Sequence, residues 1–315
     1  MNCKFPFLIL VLFFSLTIYS QNIVTKFPDT VSYWKKSNRV GFDISQIAFL
    51  NWNAGGNNSI SGLLKGKFLR EYSRKNINWK NELIAKYGLN KQEGQELRKT
   101  DDQLQINSTF GYRADTVSNW FYSSKMTFST QFYSGYNYPD IDNAISRFMA
   151  PAYYFWGIGA QYERKDINFN MYLSPLTQKT TFVLSQELAN QGAFGVDGAV
   201  YDANTGNLLK RGKKSRTELG ILISAQWEKE VYKNMTLENR VNFYTDYLNN
   251  FGNIDVDWQL QLEMTVNEYV KANLGTHIVY DDDIKAKEEI DGKQVTVGPK
   301  IQLKQLLGVG MSYTF

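Results

Sequence analysis

Large apolar side chains stand at Leu307, Val309, Met311, Tyr313 and Phe315, with small or polar residues between them. A period of two gives a β-strand one apolar face and one polar face. The same alternation returns along nearly the whole chain. It predicts strands over residues 40–52, 60–72, 77–87, 104–112, 120–132, 154–162, 167–184, 219–227, 235–243, 254–266 and 270–280, with the terminal run as the twelfth.

Pro175 interrupts the seventh run. Split there, the chain has thirteen strands; kept as one kinked strand, it has twelve. Proline is tolerated in a strand at a bend or bulge. Loop lengths decide between the two. With twelve strands the odd connections are 53–58, 89–102, 134–151, 185–213, 248–252 and 282–298, and they include every long one. The even connections, such as 73–75, 114–119 and 231–233, are all short. Short periplasmic turns, long external loops and an even strand number mark single-chain outer-membrane barrels. The expected fold is all-β: a single antiparallel transmembrane β-barrel over residues 40–315, of twelve strands, with ten or fourteen as alternatives.

Outward aromatic residues sort by height. Under this topology Tyr72, Trp79, Tyr112, Trp120, Tyr122, Tyr162, Trp227, Tyr313 and Phe315 fall at periplasmic strand ends. Trp52, Tyr87, Tyr154, Trp156, Tyr247 and Tyr280 fall at outer ends. Amphipathic rings at both headgroup levels make two girdles. A soluble β-sandwich has no reason to sort them this way. The closing Tyr313 and Phe315 are the expected signal to the barrel-assembly machinery.

The opposite end of the chain fits export. Lys4 precedes an apolar run from Phe5 to Ile18, and small Ser20 is followed by polar Gln21. This predicts a cleaved signal peptide over residues 1–20, then an N-terminal periplasmic segment over 21–39. Cys3 is the only cysteine, so the mature chain is expected to have no disulfide and no thiolate chemistry. A mean hydropathy of -0.40 beside 15% aromatic residues suits strands that turn half their residues to a polar lumen. The formal charge of +4 falls to about +3 without Lys4, too little to argue for nucleic acid. The expected location is the bacterial outer membrane. The expected partners are its lipid and the assembly machinery, with the barrel a monomer and an oligomer as the alternative.

Several segments resemble an uncharacterised outer-membrane barrel family typical of Bacteroidetes, domain of unknown function 3078. They are Leu50-Asn51-Trp52-Asn53-Ala54-Gly55-Gly56-Asn57-Asn58, Ala150-Pro151-Ala152-Tyr153, Leu173-Ser174-Pro175-Leu176-Thr177, Gly192-Ala193-Phe194-Gly195-Val196, Asn253-Ile254-Asp255-Val256-Asp257-Trp258 and Val279-Tyr280-Asp281-Asp282-Asp283. They run from about residue 40 to the end. The resemblance implies location and fold, and brings no agreed activity.

Candidate chemistry is sparse. Outer-membrane lipases generally need a histidine near a serine, and the one histidine, His277, shares lumenal parity with Lys271, Asn273 and Gly275. Asp281, Asp282 and Asp283 follow it near the outer rim, the one hint of a protease of the omptin kind. The 282–298 loop also holds Glu288 and Glu289, but Lys285 and Lys287 interrupt the carboxylates, and the spacing is not that of a calcium loop. Gly157, Gly159, Gly308 and Gly310 sit at inward parity, where they are expected to make room for Tyr153 and Phe155 rather than cradle a nucleotide. No catalytic residue, metal or cofactor is assigned.

The expected lumen-lining charges are more informative. Lys65, Lys67, Lys80, Lys86 and Lys125 make the first half of the wall basic. Glu218, Glu228, Glu238, Asp255, Asp257 and Glu263 make the second half acidic, with Glu71, Glu82, Arg216 and Arg240 as exceptions. Facing walls of this kind either pair across and fill the lumen or line a water path with a transverse field. The leading expectation is a narrow channel for small polar solutes. The alternative is a structural or assembly component acting through its loops, and an outer-membrane hydrolase comes third.

Overall fold

The computed structural model describes residues 32–48, 57–249, 251–290 and 293–315. The segment 1–20, Trp52 and most of the 50–58 motif lie outside the described residues, as do the side chains of Glu288 and Glu289.

Twelve antiparallel strands close into a barrel. They are β1 (Trp34–Ile47), β2 (Ser59–Arg74), β3 (Ile77–Gln92), β4 (Arg98–Tyr112), β5 (Trp120–Thr130) and β6 (Ala152–Arg164). Then come β7 (Phe169–Phe182), β8 (Ser215–Tyr232), β9 (Met235–Asp246), β10 (Asp255–Thr265), β11 (Val270–Tyr280) and β12 (Gln302–Thr314). Each strand pairs with its sequence neighbours, and β1 closes on β12 with Arg39 opposite Thr314 and Ile44 opposite Val309. All twelve alternating runs are strands, and their order is the expected one. Three two-stranded hairpins outside the barrel, within residues 135–146, 200–210 and 285–299, carry no such alternation.

β1 starts at Trp34, six residues before the alternation at Val40. Residues 34–39 are therefore wall rather than part of a periplasmic segment. Lys35 and Lys36 hide them, because at the periplasmic rim both faces of a strand meet water. The Trp34 ring packs at 5.2 Å from Tyr72 and 5.9 Å from Trp79, and so joins the lower girdle. Trp120 and Tyr162 continue it at 4.9 Å, and Tyr313 and Phe315 at 5.6 Å.

Pro175 does sit in one bent strand. Against β8 the register jumps between Gly220 and Leu222, and against β6 between Ile158 and Ala160. Ser174 and Thr177 both point inward, while Pro175 and Leu176 are exposed on the outside. One extra residue on β7 thus resets the parity, as a bulge does. A Cβ on Gly159 would strike the Leu173 carbonyl oxygen, and one on Gly157 would meet Ser174 Oγ at 2.6 Å. These glycines make room for the bulged neighbour strand rather than for Tyr153 and Phe155. Gly310 does the same for Asp43 at the closing seam.

The outer face is apolar: Phe42, Leu64, Ile106, Phe110, Ile158, Val309 and Met311 are all exposed. Leaving one large apolar side chain in water forgoes about 1.5–3 kcal/mol, so a belt of them requires lipid. Three indole N–H groups on this face are paired within the wall. Trp79 Nε1 donates to Ser108 Oγ at 3.0 Å, Trp156 Nε1 to Ser124 Oγ at 3.2 Å and Trp258 Nε1 to Asn239 Oδ1 at 2.6 Å. A closed sheet with an apolar exterior satisfies every requirement for spanning a bilayer. The protein is an outer-membrane β-barrel.

Candidate functional site in the barrel lumen

Parity decides what enters the lumen. On β3, Lys80, Glu82, Ile84 and Lys86 point inward in sequence. On β9 the inward row includes Glu238, Arg240, Asn242 and Tyr244. β3 and β9 are six strands apart in either direction around the twelve-stranded ring. Glu82 and Arg240 nevertheless meet, Arg240 Nη1 lying 3.5 Å from Glu82 Oε2. Arg240 Nε also holds Glu238 at 2.5 Å. Lys67 approaches Glu82 at 3.3 Å, and Asn107 Nδ2 donates to it at 3.0 Å. The result is a polar strut across the barrel diameter.

Two cavities flank the strut. The larger is about 410 Å³ and extends from Lys80 to Asp281 at the outer mouth. The smaller, about 130 Å³, is bounded by Asp43, Lys65, Glu263 and Lys271. Ile84, Lys86, Arg240 and Gln259 border both.

The expected facing of basic and acidic walls is only part of the picture. Most charges pair within their own half. Lys65 holds Asp43 on the next strand at 2.5 Å, and Lys271 holds Glu263 at 2.6 Å, with Arg39 on the same carboxylate. His277 Nε2 sits 2.9 Å from Asp257 Oδ1. Lys179 is buried and gathers Asp255 at 2.7 Å, Asp281 at 3.2 Å and Glu218 at 3.4 Å. The exceptions Glu82 and Arg240 make the diametric bridge, and Lys304 reaches Asp101 at 2.8 Å near the outer rim. Opposed walls therefore produce local pairs and one strut rather than a uniform transverse field.

Of the expected lumen residues, Glu218 and Glu228 do not line a cavity wall: Glu218 is buried against Lys179 and Arg216. Glu228 is the one at the rim. It has inward parity but is exposed at the periplasmic rim, where β8 runs past the barrel. Lys80, Lys86 and Lys125 line the larger cavity and have no carboxylate within ion-pair distance among the described residues. Lys125 Nζ instead reaches Ser224 Oγ at 3.2 Å and lies 5.5 Å from the centre of the Tyr172 ring. Sequence reasoning missed Arg39, Asp43 and Lys179. Arg39 precedes the alternation and Lys179 follows the bulge that resets parity, whereas Asp43 sits at inward parity between Phe42 and Ile44, where the period of two could have found it.

The outer mouth has its own fold. Residues 183–214 carry a short helix, α1 (Gln186–Asn190), and Val183, Leu188, Ala189 and Val196 form a small apolar core with Ala150 from the preceding loop. Gly192 and Gly195 take φ of 68° and 80°, conformations that suit glycine. Arg216 ties this loop to the segment after β11, donating to the Gly195 carbonyl at 3.1 Å and pairing with Asp283 at 2.8 Å. At the loop tip, hydrogen bonds from Thr205 and Asn204 hold the exposed Asp202 carboxyl below its ordinary range. The acidic run is thereby divided among partners: Asp281 to Lys179, Asp282 to Asn253 at 2.8 Å, and Asp283 to Arg216. Asp255, Asp281 and Asp282 could offer oxygen ligands within 4.8 Å of one another, but the Lys179 ammonium already contacts two of the three.

Residues 44–136 match the model of a family described as "Protein of unknown function (DUF3078)". The family resemblance read in the sequence therefore holds over that range, and the segments beyond residue 136 lie outside the match. No curated protein matches the chain. Among solved structures the chain is similar to the translocator domain of autotransporter NalP from Neisseria meningitidis, at 8% identity and a TM-score of 0.39, covering 91% of this chain and 90% of that one. It is also similar to the COG4313 outer membrane channel from Pseudomonas putida F1, at 10% identity and a TM-score of 0.39, covering 91% and 99%. For the NanC porin the figures are 8%, 0.35, 88% and 98%. These likenesses are of barrel to barrel, and no functional argument rests on them.

Proposed function

We propose that this outer-membrane barrel is a narrow channel for small polar solutes, with no catalytic role. One observation carries the reading. The lumen is lined by lysines, carboxylates and amides, and it keeps a cavity of about 410 Å³ running from Lys80 to the outer mouth instead of a packed apolar core. A polar wall around unfilled volume lowers the cost of moving a hydrated solute. The Glu82–Arg240 strut narrows the path, which suits small solutes. His277 supports the non-enzymatic reading: its ring is bound to Asp257, and no hydroxyl or thiol contacts either group among the described residues.

A structural role is the second reading, and the strut favours it, because a bridge across the diameter also stiffens a barrel. Conductance of the purified full chain in planar bilayers tests the proposal. Discrete current steps support the channel. A folded barrel that passes no current favours the structural role.

A further inference from the structure

Charge is layered along the lumen. The outer mouth carries the carboxylates Glu218, Asp255, Asp257, Asp281 and Asp283, and the periplasmic end carries Glu163 and Glu263. Between them lie six cations: Lys65, Lys67, Lys80, Lys86, Lys125 and Arg240. Asp43, Glu71, Glu82 and Glu238 share this middle layer, Glu71 standing opposite Lys80 in register, but Asp43, Glu82 and Glu238 are held by Lys65, Lys67 and Arg240, and Glu71 by Lys165. Lys80 and Lys125 stand level with each other on either side of Thr109, through the pairs Lys80–Thr109 and Thr109–Lys125.

The wall beside them offers neutral donors. Gln103, Gln105 and Asn107 form an amide ladder up β4, linked at 2.7 and 3.0 Å. Nearer the mouth, Tyr244 lines the same cavity opposite Asp255, with Lys179 Nζ 5.2 Å from its ring centre; it is only 4% exposed, and its hydroxyl finds no hydrogen-bond partner among the described residues. A buried hydroxyl without a partner is costly, roughly 1–3 kcal/mol, so a ligand that accepts its hydrogen bond is favoured.

We propose that the larger cavity binds a small oxyanion, a phosphate or a carboxylate, with Lys80 and Lys125 as its principal cationic contacts. Glu71 and Glu82 lie nearby, but no carboxylate reaches ion-pair distance of either lysine among the described residues, so the anion supplies a direct partner, and the Asn107 and Ser224 side chains flank it. The inference deepens the channel reading by naming its solute class. Binding needs no conduction, so the two fail separately.

The test is calorimetric titration of inorganic phosphate, then acetate, into the full chain folded in detergent at low ionic strength. Lys80→Gln combined with Lys125→Gln is expected to weaken binding at least about tenfold, which is 1.4 kcal/mol. Lys125→Arg is expected to retain it, and Lys229→Gln at the periplasmic rim to leave it unchanged. Heat-modifiable migration shows that each variant is folded. Binding that is absent in the wild type, or that survives the double change, overturns the proposal. Binding without current in bilayers keeps the anion site and removes the channel. Cation-selective current without anion binding keeps the channel and removes the site.

Discussion

Glu82 and Arg240 touch across the full diameter of the barrel, 3.5 Å apart on strands that are six removed in either direction. No hydrogen-bonded register brings them together, so the contact depends on barrel closure and on side-chain reach. Each also has a second partner, Lys67 for Glu82 and Glu238 for Arg240. Glu82→Gln or Arg240→Gln alone is therefore expected to cost a moderate amount, about 1–3 kcal/mol. The double variant is expected to depart from additivity by more than 0.5 kcal/mol, as coupled neighbours do. Urea unfolding of the four proteins in detergent measures this. Strict additivity would show that the strut carries no energy.

Lys179 holds the outer mouth through three carboxylates from β8, β10 and the segment after β11. Lys179→Gln leaves Glu218, Asp255 and Asp281 facing one another. Breaking a buried ionic set by removing one partner costs about 3–5 kcal/mol. A lower thermal midpoint for the barrel is expected, together with faster protease cleavage of the external loops on intact cells. Lys179→Arg is expected to restore both. Unchanged midpoint and cleavage in Lys179→Gln would show that the mouth is held by its apolar core instead.

The barrel closes at its last residue. Asn38 N donates to the Phe315 carbonyl oxygen at 2.9 Å, and Phe315 N donates to the Asn38 carbonyl at 2.9 Å. Deleting Phe315 removes both bonds and the ring stacked on Tyr313. Folded protein in the outer membrane, read by heat-modifiable migration, is expected to fall severalfold. Phe315→Ala keeps the backbone bonds, so it separates the seam from the ring: a full loss in this variant assigns the effect to the aromatic side chain. Normal levels of the deletion variant would contradict any role for the terminus in assembly.

The strand count, order and inward parity were legible because lipid on one side and a polar lumen on the other impose a period of two on every strand. Even the kink at Pro175 was legible, since loop lengths alternate only if β7 is one strand. The partners were not. Parity says that Glu82 and Arg240 both face inward, but not that two side chains from opposite walls meet. Trp34 was hidden by its lysine neighbours, where both faces of β1 meet water. The mouth core around Leu188 and Val183 is built from short irregular segments with no period to read.

Loop 183–214 puts Asn204 in an exposed turn on the side of the barrel opposite the short turns at Lys75, Asn168 and Asn234. Asn204→Cys is expected to react with a membrane-impermeant maleimide on intact cells. Cys3 is the only cysteine of the sequence, so in a Cys3→Ser background no thiol competes. Labelling only after membrane rupture would invert the orientation and place the folded loop in the periplasm.

The central claim is that the polar, strut-divided lumen conducts. Single-channel recording of the purified, folded full chain in planar bilayers tests it most directly. At about 0.01 M salt the screening length is roughly 30 Å, so the lumenal charges act on permeating ions at full reach. The account expects small discrete steps, with a reversal potential that favours anions and moves toward cations in the Lys80→Gln, Lys125→Gln protein. A barrel that is fully folded by heat-modifiable migration yet shows no steps above baseline would contradict it.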